Sequence, residues 1–333
     1  MKNNSIVNLL VFEDTLDKGL RPFSDNRPYF DFQLGAQTLL QKLLLHFQGM
    51  NLNLHVRPHL KDITKQNHPG LMVNVLNASL DSLFLNGRIL IDENLVSEIK
   101  KLERKTMLLS DQGEIIAAWL GHHEITLIQD LLQNAIDSEK MISLLKNEIP
   151  MRKTKAHFIS HLLQFQDWFN VQLEKDMNQK AEGGYLRAEI STKAELIAEH
   201  RITAHEETQI SAFAFLDASR GPIYIENNVT IRPYSQIIGP VYLGAGTVVE
   251  GGLIENSCIG KNSKIKGRIY NSVLYGHHFI DWQSEIEDCF LGVYAEVAES
   301  AKKKKIIILD YEPFLKGKKP NPLTPVEEQL LKK

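Results

Sequence analysis

Arg21, Ser24 and Arg27 place two permanent cations and a hydroxyl within seven residues. A guanidinium offers a planar fork of N–H donors that matches a phosphate, and a serine hydroxyl adds one more donor, so this trio has the chemistry of an anion clamp. The same arginines have another use, as a loop held by salt bridges to Glu13, Asp14 or Asp25 nearby. Arg88 closes a second group, Asn86-Gly87-Arg88, after the apolar run 83–85. At the carboxyl end of a core strand it would line a ligand cleft, whereas Asn86-Gly87 as a hairpin dipeptide would make 83–85 and 89–91 two arms of a turn.

The histidines carry less. His157 and His161 stand four apart, a spacing that presents two imidazoles to one metal on a helix, but no third ligand accompanies them locally and a solvated face is the stronger reading. His122-His123-Glu124 reads the same way, because adjacent residues point apart on a strand or a helix. His277-His278 reads as a polar corner or a packing position.

The elements that must hold these groups alternate. Residues 6–12 read as a buried strand, and Leu39, Leu40, Leu43, Leu44 and Phe47 as a helix entered after Gly35. Strands follow at 71–76 and 83–91, a helix at 95–104, and strands at 106–109 and 114–120 around Asp111-Gln112-Gly113. This is an α/β order with a mostly parallel sheet. Two helical stretches, 126–145 and 158–179, come next.

Beyond them the chain repeats itself. Gly221-Pro222-Ile223-Tyr224-Ile225 returns eighteen residues later as Gly239-Pro240-Val241-Tyr242-Leu243. Aliphatic residues fall at every sixth position, Ile225, Ile231, Ile237, Leu243 and Val249, with Val229, Ser235, Val241, Thr247 and Leu253 four after each. A chain that turns a corner every six residues and stacks turn on turn buries one aliphatic side chain per corner, the logic of a parallel β-helix. The repeat starts near residue 210 and fades near 298, before the solvated lysine run 302–305 and a proline-bearing tail.

At 333 residues two domains are expected, and a formal net charge of -3 gives no electrostatic case for nucleic acid or an anionic membrane. No apolar run approaches a membrane span, and Cys258 and Cys289 read as buried thiols of a reducing compartment, so the cytoplasm is the expected location.

Leu20-Arg21-Pro22-Phe23-Ser24-Asp25-Asn26-Arg27-Pro28 resembles the Arg-Pro-Leu-Thr segment near the start of sugar-1-phosphate nucleotidyltransferases. An α/β domain headed by it and followed by hexapeptide coils is similar in layout to the bifunctional N-acetylglucosamine-1-phosphate uridyltransferase and glucosamine-1-phosphate acetyltransferase. Closer still is a divergent bacterial family of sugar nucleotidyltransferases. Its landmarks appear as Phe12-Glu13-Asp14, Arg21-Pro22-Phe23-Ser24, Arg27-Pro28, Leu34-Gly35, Leu85-Asn86-Gly87-Arg88, Ile115-Ile116-Ala117-Ala118, Trp168 with Asn170 and Asp176, and Leu216-Asp217-Ala218-Ser219.

The resemblance implies an α/β nucleotidyltransferase-like, Rossmann-like domain followed by a left-handed parallel β-helix, in a homotrimer that takes a sugar phosphate and a nucleoside triphosphate, or a nucleotide sugar. The expected domains are 1–205 with the helical connector, 206–300 for the β-helix and 301–333 for a cap. Arg21 and Arg27 would clamp phosphate as catalytic cations, Ser24 would donate to it, and Asn86 and Arg88 would line the far side of the cleft. Asp14 is the candidate ligand for Mg²⁺, because it follows the first strand.

Five positions depart from the family's pattern. Thr15 and Asp17 replace glycines of the phosphate loop and Gly19 its arginine, Tyr29 replaces a lysine, and Arg88 stands where a Gly-Asp pair would present the metal carboxylate. A chain that binds nucleotide sugars, or assembles with a relative, without catalysis is therefore the alternative. Acyl transfer in the coils is the third reading, and Trp282, at the position of the usual histidine base, argues against it.

Overall fold

The computed structural model describes residues 8–16, 18–21, 23–76, 80–161, 163–180, 184–293, 297, 302–304 and 307–308. The described chain divides into two units, residues up to 164 and residues from 165 on, with the segment Gln33–Ala36 belonging to the second. The long helix thus groups with the coils, and the division lies near 164 where the sequence suggested 205. Most of the expected 301–333 cap, and Asp17 and Pro22, lie outside the described residues.

The first unit contains β1 (Asn8–Phe12), α1 (Leu39–His46), β2 (Asn51–His55), α2 (Lys61–Asn67), β3 (Met72–Val73), β4 (Ser82–Asn86), β5 (Ile89–Leu90), α3 (Glu93–Lys100), β6 (Thr106–Ser110), β7 (Ile115–Leu120), α4 (His122–Leu127), α5 (Ser138–Leu145), β8 (Met151–Thr154) and β9 (His157–Phe158). Its main sheet runs β8-β6-β7-β4-β1-β2-β3. β1 lies parallel to β2 and β4, while β7 is antiparallel to both β4 and β6. Every residue of β1 is buried, as a central strand covered on both faces requires.

From β1 the chain moves outward through β2 and β3, then returns to β4 on the other side of β1. This reversal is a topological switch point, and α/β sheets bind ligands at the carboxyl ends of the strands there. The residues that follow β1 and β4 are Glu13, Asp14, Gly87 and Arg88.

Three local expectations change. Asn86-Gly87 is not a hairpin turn, because β5 leaves β4 and pairs antiparallel with β9, Ile89 opposite Phe158. The helix expected over 126–145 is interrupted, since Asp137 accepts from the Lys140 N–H and starts α5 afresh. His157 lies on β9, and the helix α6 (Leu163–Lys180) begins after His161, so the two histidines do not share a helical face.

In the second unit, strands stack in parallel columns. One column runs through Glu189–Ile190, Gln209–Ile210, Thr230–Ile231, Val248–Val249, Lys264–Ile265 and Phe279–Ile280. Two further columns follow in each turn, one through Leu216, Ile237, Ile254, Ile269 and Ile286, the other through Ile225, Leu243, Ile259, Leu274 and Leu291. The ten aliphatic residues named in these two columns are all 0% exposed, so they form a continuous apolar stack.

The two Gly-Pro copies lie one above the other, with Ile223 opposite Val241 and Tyr224 opposite Tyr242. A Cβ on Gly221 would lie 2.5 Å from Pro240 Cδ, which explains why glycine recurs where successive turns touch. The stack begins at Glu189–Ile190, earlier than expected, and its turns shorten along the chain: Ile210 pairs with Ile231, but Ile265 pairs with Ile280.

Candidate functional site at the switch point of the first unit

Asp14 and Arg88 meet at the switch point, both with side chains 0% exposed. Arg88 Nε donates to Asp14 Oδ1 at 2.9 Å and Nη2 to Asp14 Oδ2 at 2.7 Å, a two-pronged pairing. Nη2 also reaches Glu114 Oε1 at 2.9 Å, from the turn between β6 and β7. Nη1 donates to Ser160 Oγ at 3.1 Å and to the Ile159 carbonyl at 3.4 Å, so all five N–H groups of this guanidinium are used.

Asp14 is equally saturated. Its Oδ2 also accepts from Asn86 Nδ2 at 2.7 Å, and its Oδ1 accepts from the Tyr29 hydroxyl at 3.2 Å and the Leu16 N–H at 3.1 Å. Burial works against the charge on Arg88, but the hydrogen bonds and charge of Asp14, with help from Tyr29 and Glu114, outweigh it and leave the pKa above its ordinary value. Burial, then the charges of Asp14 and Glu13, push the Tyr29 phenol well upward, so it is a neutral donor.

A second ion pair stands beside the first. Arg57 Nη2 donates to Glu13 Oε1 at 2.9 Å and Nε to Glu13 Oε2 at 3.1 Å, while the Arg57 N–H adds 2.9 Å to Oε2. Burial raises the Glu13 pKa more than Arg57 lowers it, which measures how strongly this carboxylate depends on its partner. Arg57 Nη2 also donates to the carbonyls of Ser24 and Arg27, and so ties down the 3₁₀ turn Phe23–Asp25 and the residues after it.

The structure therefore separates the sequence candidates into two sets. Asp14, Asn86 and Arg88 come together in the buried cluster, and Ser24 is also 0% exposed. Arg21 lies outside, exposed, with its Nε 3.6 Å from Asp25 Oδ1. Arg27 is half-buried with its guanidinium over the Phe23 ring, 5.1 Å from the centroid.

Arg57 and Glu114 were missed by the sequence reading. The only local signals were a charge just beyond β2 and another at the β6–β7 turn, and neither indicates a partner. Tyr29, at the family's lysine position, supplies a hydroxyl to the Asp14 carbonyl at 2.8 Å. Gly19, at the family's arginine position, leaves no room for a side chain, since a Cβ there would overlap the Ser160 carbonyl oxygen.

Asp14 does not fit Mg²⁺ in this arrangement. Each of its oxygens already accepts at least two donors, one of them a buried cation. Among the described residues no group of three or more His, Cys, Asp or Glu side chains is placed to hold a metal.

In the second unit two landmarks prove to be partners. Asp176 is 2% exposed, not solvated, and its Oδ2 accepts from the Ala36 N–H at 2.9 Å. Gly35 there has φ +83°, and a Cβ would lie 2.6 Å from that same oxygen. Trp282 is 67% exposed and His278 is 2% exposed. Cys258 and Cys289 are free and buried, and burial pushes the Cys258 thiol upward. No helix among the described residues is long and apolar enough to cross a membrane.

No curated protein matches the chain. A family model described as sugar nucleotidyl transferase matches residues 9–183, more than half of the sequence and the whole stretch that carries Asp14, Tyr29, Arg57, Arg88 and Glu114. The chain belongs to the sugar nucleotidyl transferase family.

Proposed function

We propose that the first unit handles a sugar phosphate together with a nucleotide, as a sugar-1-phosphate nucleotidyltransferase of its family. In that reaction an oxygen of the sugar phosphate bonds to the α-phosphorus of a nucleoside triphosphate, the α–β bridging P–O bond breaks, and pyrophosphate leaves. The observation that carries the reading is the placement of the family's landmarks at the carboxyl ends of β1 and β4, where such sheets take ligands. Arg21, exposed beside Asp25, and Arg27, half-buried over Phe23, lie outside the buried cluster, and Arg57 holds the turn between them in place. Their part is positioning and charge neutralisation of phosphate oxygens. The test is pyrophosphate release across a panel of sugar 1-phosphates and nucleoside triphosphates, with loss of turnover in Arg27→Ala. No release with any pair defeats the catalytic reading.

A second reading, binding without turnover, is favoured by one observation: Asp14 and Arg88 spend all their hydrogen-bonding capacity on each other and their neighbours. Nucleotide-sugar binding in calorimetry without pyrophosphate release would select it.

We read the stacked turns of the second unit as a left-handed β-helix through which three copies assemble. Support comes from an exposed aromatic edge, where Phe213 and Tyr234 stack at 5.7 Å and are 54% and 71% exposed. Light scattering on Phe213→Ser/Tyr234→Ser tests this, and a wild-type monomer would contradict it.

A further inference from the structure

Two carboxylates converge on one nitrogen at the switch point. Asp14 Oδ2 lies 2.7 Å and Glu114 Oε1 2.9 Å from the same Nη2 of Arg88. Two acidic oxygens around one point favour a cation there, and Asn86 fixes one of them: its Nδ2 donates to Asp14, while its Oδ1 accepts from the Arg88 N–H at 3.0 Å. A divalent ion such as Mg²⁺ asks for such oxygens at about 2.0–2.1 Å, a contraction of less than an ångström from where they stand.

The position of Arg88 in the chain makes this more than an ion pair. It follows β4 at the carboxyl edge, and β5 then turns away to pair with β9, so the side chain is buried between the two strand departures, with the part-exposed Glu114 on its outer side. The Phe158 ring lies under its guanidinium, 5.2 Å from centroid to Cζ, and closes the remaining side. An exchangeable cation does not compete with a covalently attached one whose every N–H is satisfied.

We infer that the guanidinium of Arg88 is a built-in replacement for a divalent cation held by Asp14 and Glu114, so that ligands of this crevice bind without a metal. The inference rests on the reading that the first unit handles phosphate-bearing ligands, and within it favours binding of a nucleotide sugar, which needs no magnesium, over turnover of a magnesium-bound nucleoside triphosphate. The two buried ion pairs, Glu13 with Arg57 and Asp14 with Arg88, match one carboxylate to each guanidinium, and the part-exposed Glu114 adds a third carboxylate beside Arg88.

The test removes the resident cation. In Arg88→Ser the two carboxylates and Asn86 are left around a vacated, water-accessible volume. Manganese titrated into the full-length variant, followed by electron paramagnetic resonance of the free ion, should bind at least about tenfold more tightly than to wild type. Manganese should also raise the variant's melting temperature and leave the wild type's unchanged. If the variant folds only when manganese is present, that outcome is a positive result by the same measure. Arg88→Ser/Asp14→Asn should lose the gain.

Equal manganese affinity in wild type and Arg88→Ser overturns the inference, and so does tight manganese binding by wild type that Asp14→Asn abolishes. A separate arm measures binding of UDP-, dTDP- and GDP-glucose to wild type in magnesium and in EDTA. Affinity unchanged within about twofold is expected, and a larger loss in EDTA overturns the inference. Failure of all three sugars to bind would count against the functional reading alone, because the manganese arm still decides the question of the resident cation.

Discussion

The two units solve the same problem, how to hold parallel strands side by side, with different interiors. The second unit stacks Ile210, Ile231, Val249, Ile265 and Ile280 directly over one another, so each turn is stabilised by its neighbours through strand pairing, apolar burial and bonds of buried hydroxyls such as Ser235 Oγ to the Val249 carbonyl. The first unit fills its switch point with Glu13, Asp14, Arg57, Arg88 and Asn86, all buried and all joined by hydrogen bonds that cross long stretches of chain. A repetitive apolar core tolerates local change because losses stay local. A polar cluster fails as a whole, since removing one partner strands a charge away from water.

Substitutions sharpen the contrast, the largest effect first. Arg88→Met should cost about 3–5 kcal/mol in urea unfolding, because it leaves the Asp14 carboxylate buried without its cation. A cost under about 1 kcal/mol would show that the cluster is as forgiving as the coils. Gly35→Ala should cost about 2 kcal/mol, the sum of a left-handed backbone at φ +83° and a Cβ pressed on the Asp176 carboxylate. Ile231→Val, in the middle of the aliphatic column, should cost only about 1 kcal/mol, the ordinary loss of one buried methylene.

Smaller effects come from groups nearer the surface. Burial lowers the His68 pKa, but the hydrogen bond and charge of Asp31, 2.8 Å away, raise it more, so its folded value lies above the ordinary 6.5. A raised folded pKa gives stability that is fully present below pH 6.5 and is lost as pH climbs through the folded value. Wild type should therefore show this decline above pH 6.5 in thermal unfolding, and His68→Gln should flatten it; identical profiles would remove the pair from the account. Arg21→Ala should change stability by less than about 0.5 kcal/mol, as expected for an exposed pair with Asp25.

The same contrast decides what could be read from the sequence. In the coils each residue's partner lies one turn away, so the repeated Gly-Pro phrase gives the register Ile223 to Val241 directly. The six-residue count holds through Ile225, Ile231, Ile237, Leu243 and Val249, all buried, then slips where shorter turns follow. The turn that begins at Glu189–Ile190 was hidden because an end turn lacks a neighbour on one side, and Ile190 and Leu196 are only half-buried.

In the first unit β1 was legible from the apolar run Leu9 to Phe12, whereas β2, Asn51–His55, alternates asparagine with leucine and carries no such signal. The site was harder still. Asp14 meets Arg88 across 74 residues and Glu13 meets Arg57 across 44, and nothing local tells which guanidinium will find which carboxylate. The family resemblance and the place of Asp14 after the first strand singled out Asp14, Asn86 and Arg88, and the parallel strands β1 and β4 are what bring the three together.

The most direct test is a double-mutant cycle between Asp14→Asn and Arg88→Met, read from urea unfolding of the full chain. If the two side chains are each other's partner in a closed cluster, the single substitutions are far from additive and the coupling is about 2 kcal/mol or more. A coupling near zero would mean that Arg88 does not neutralise Asp14 in the folded protein, and the claim that a fixed guanidinium fills the cation's place would be contradicted.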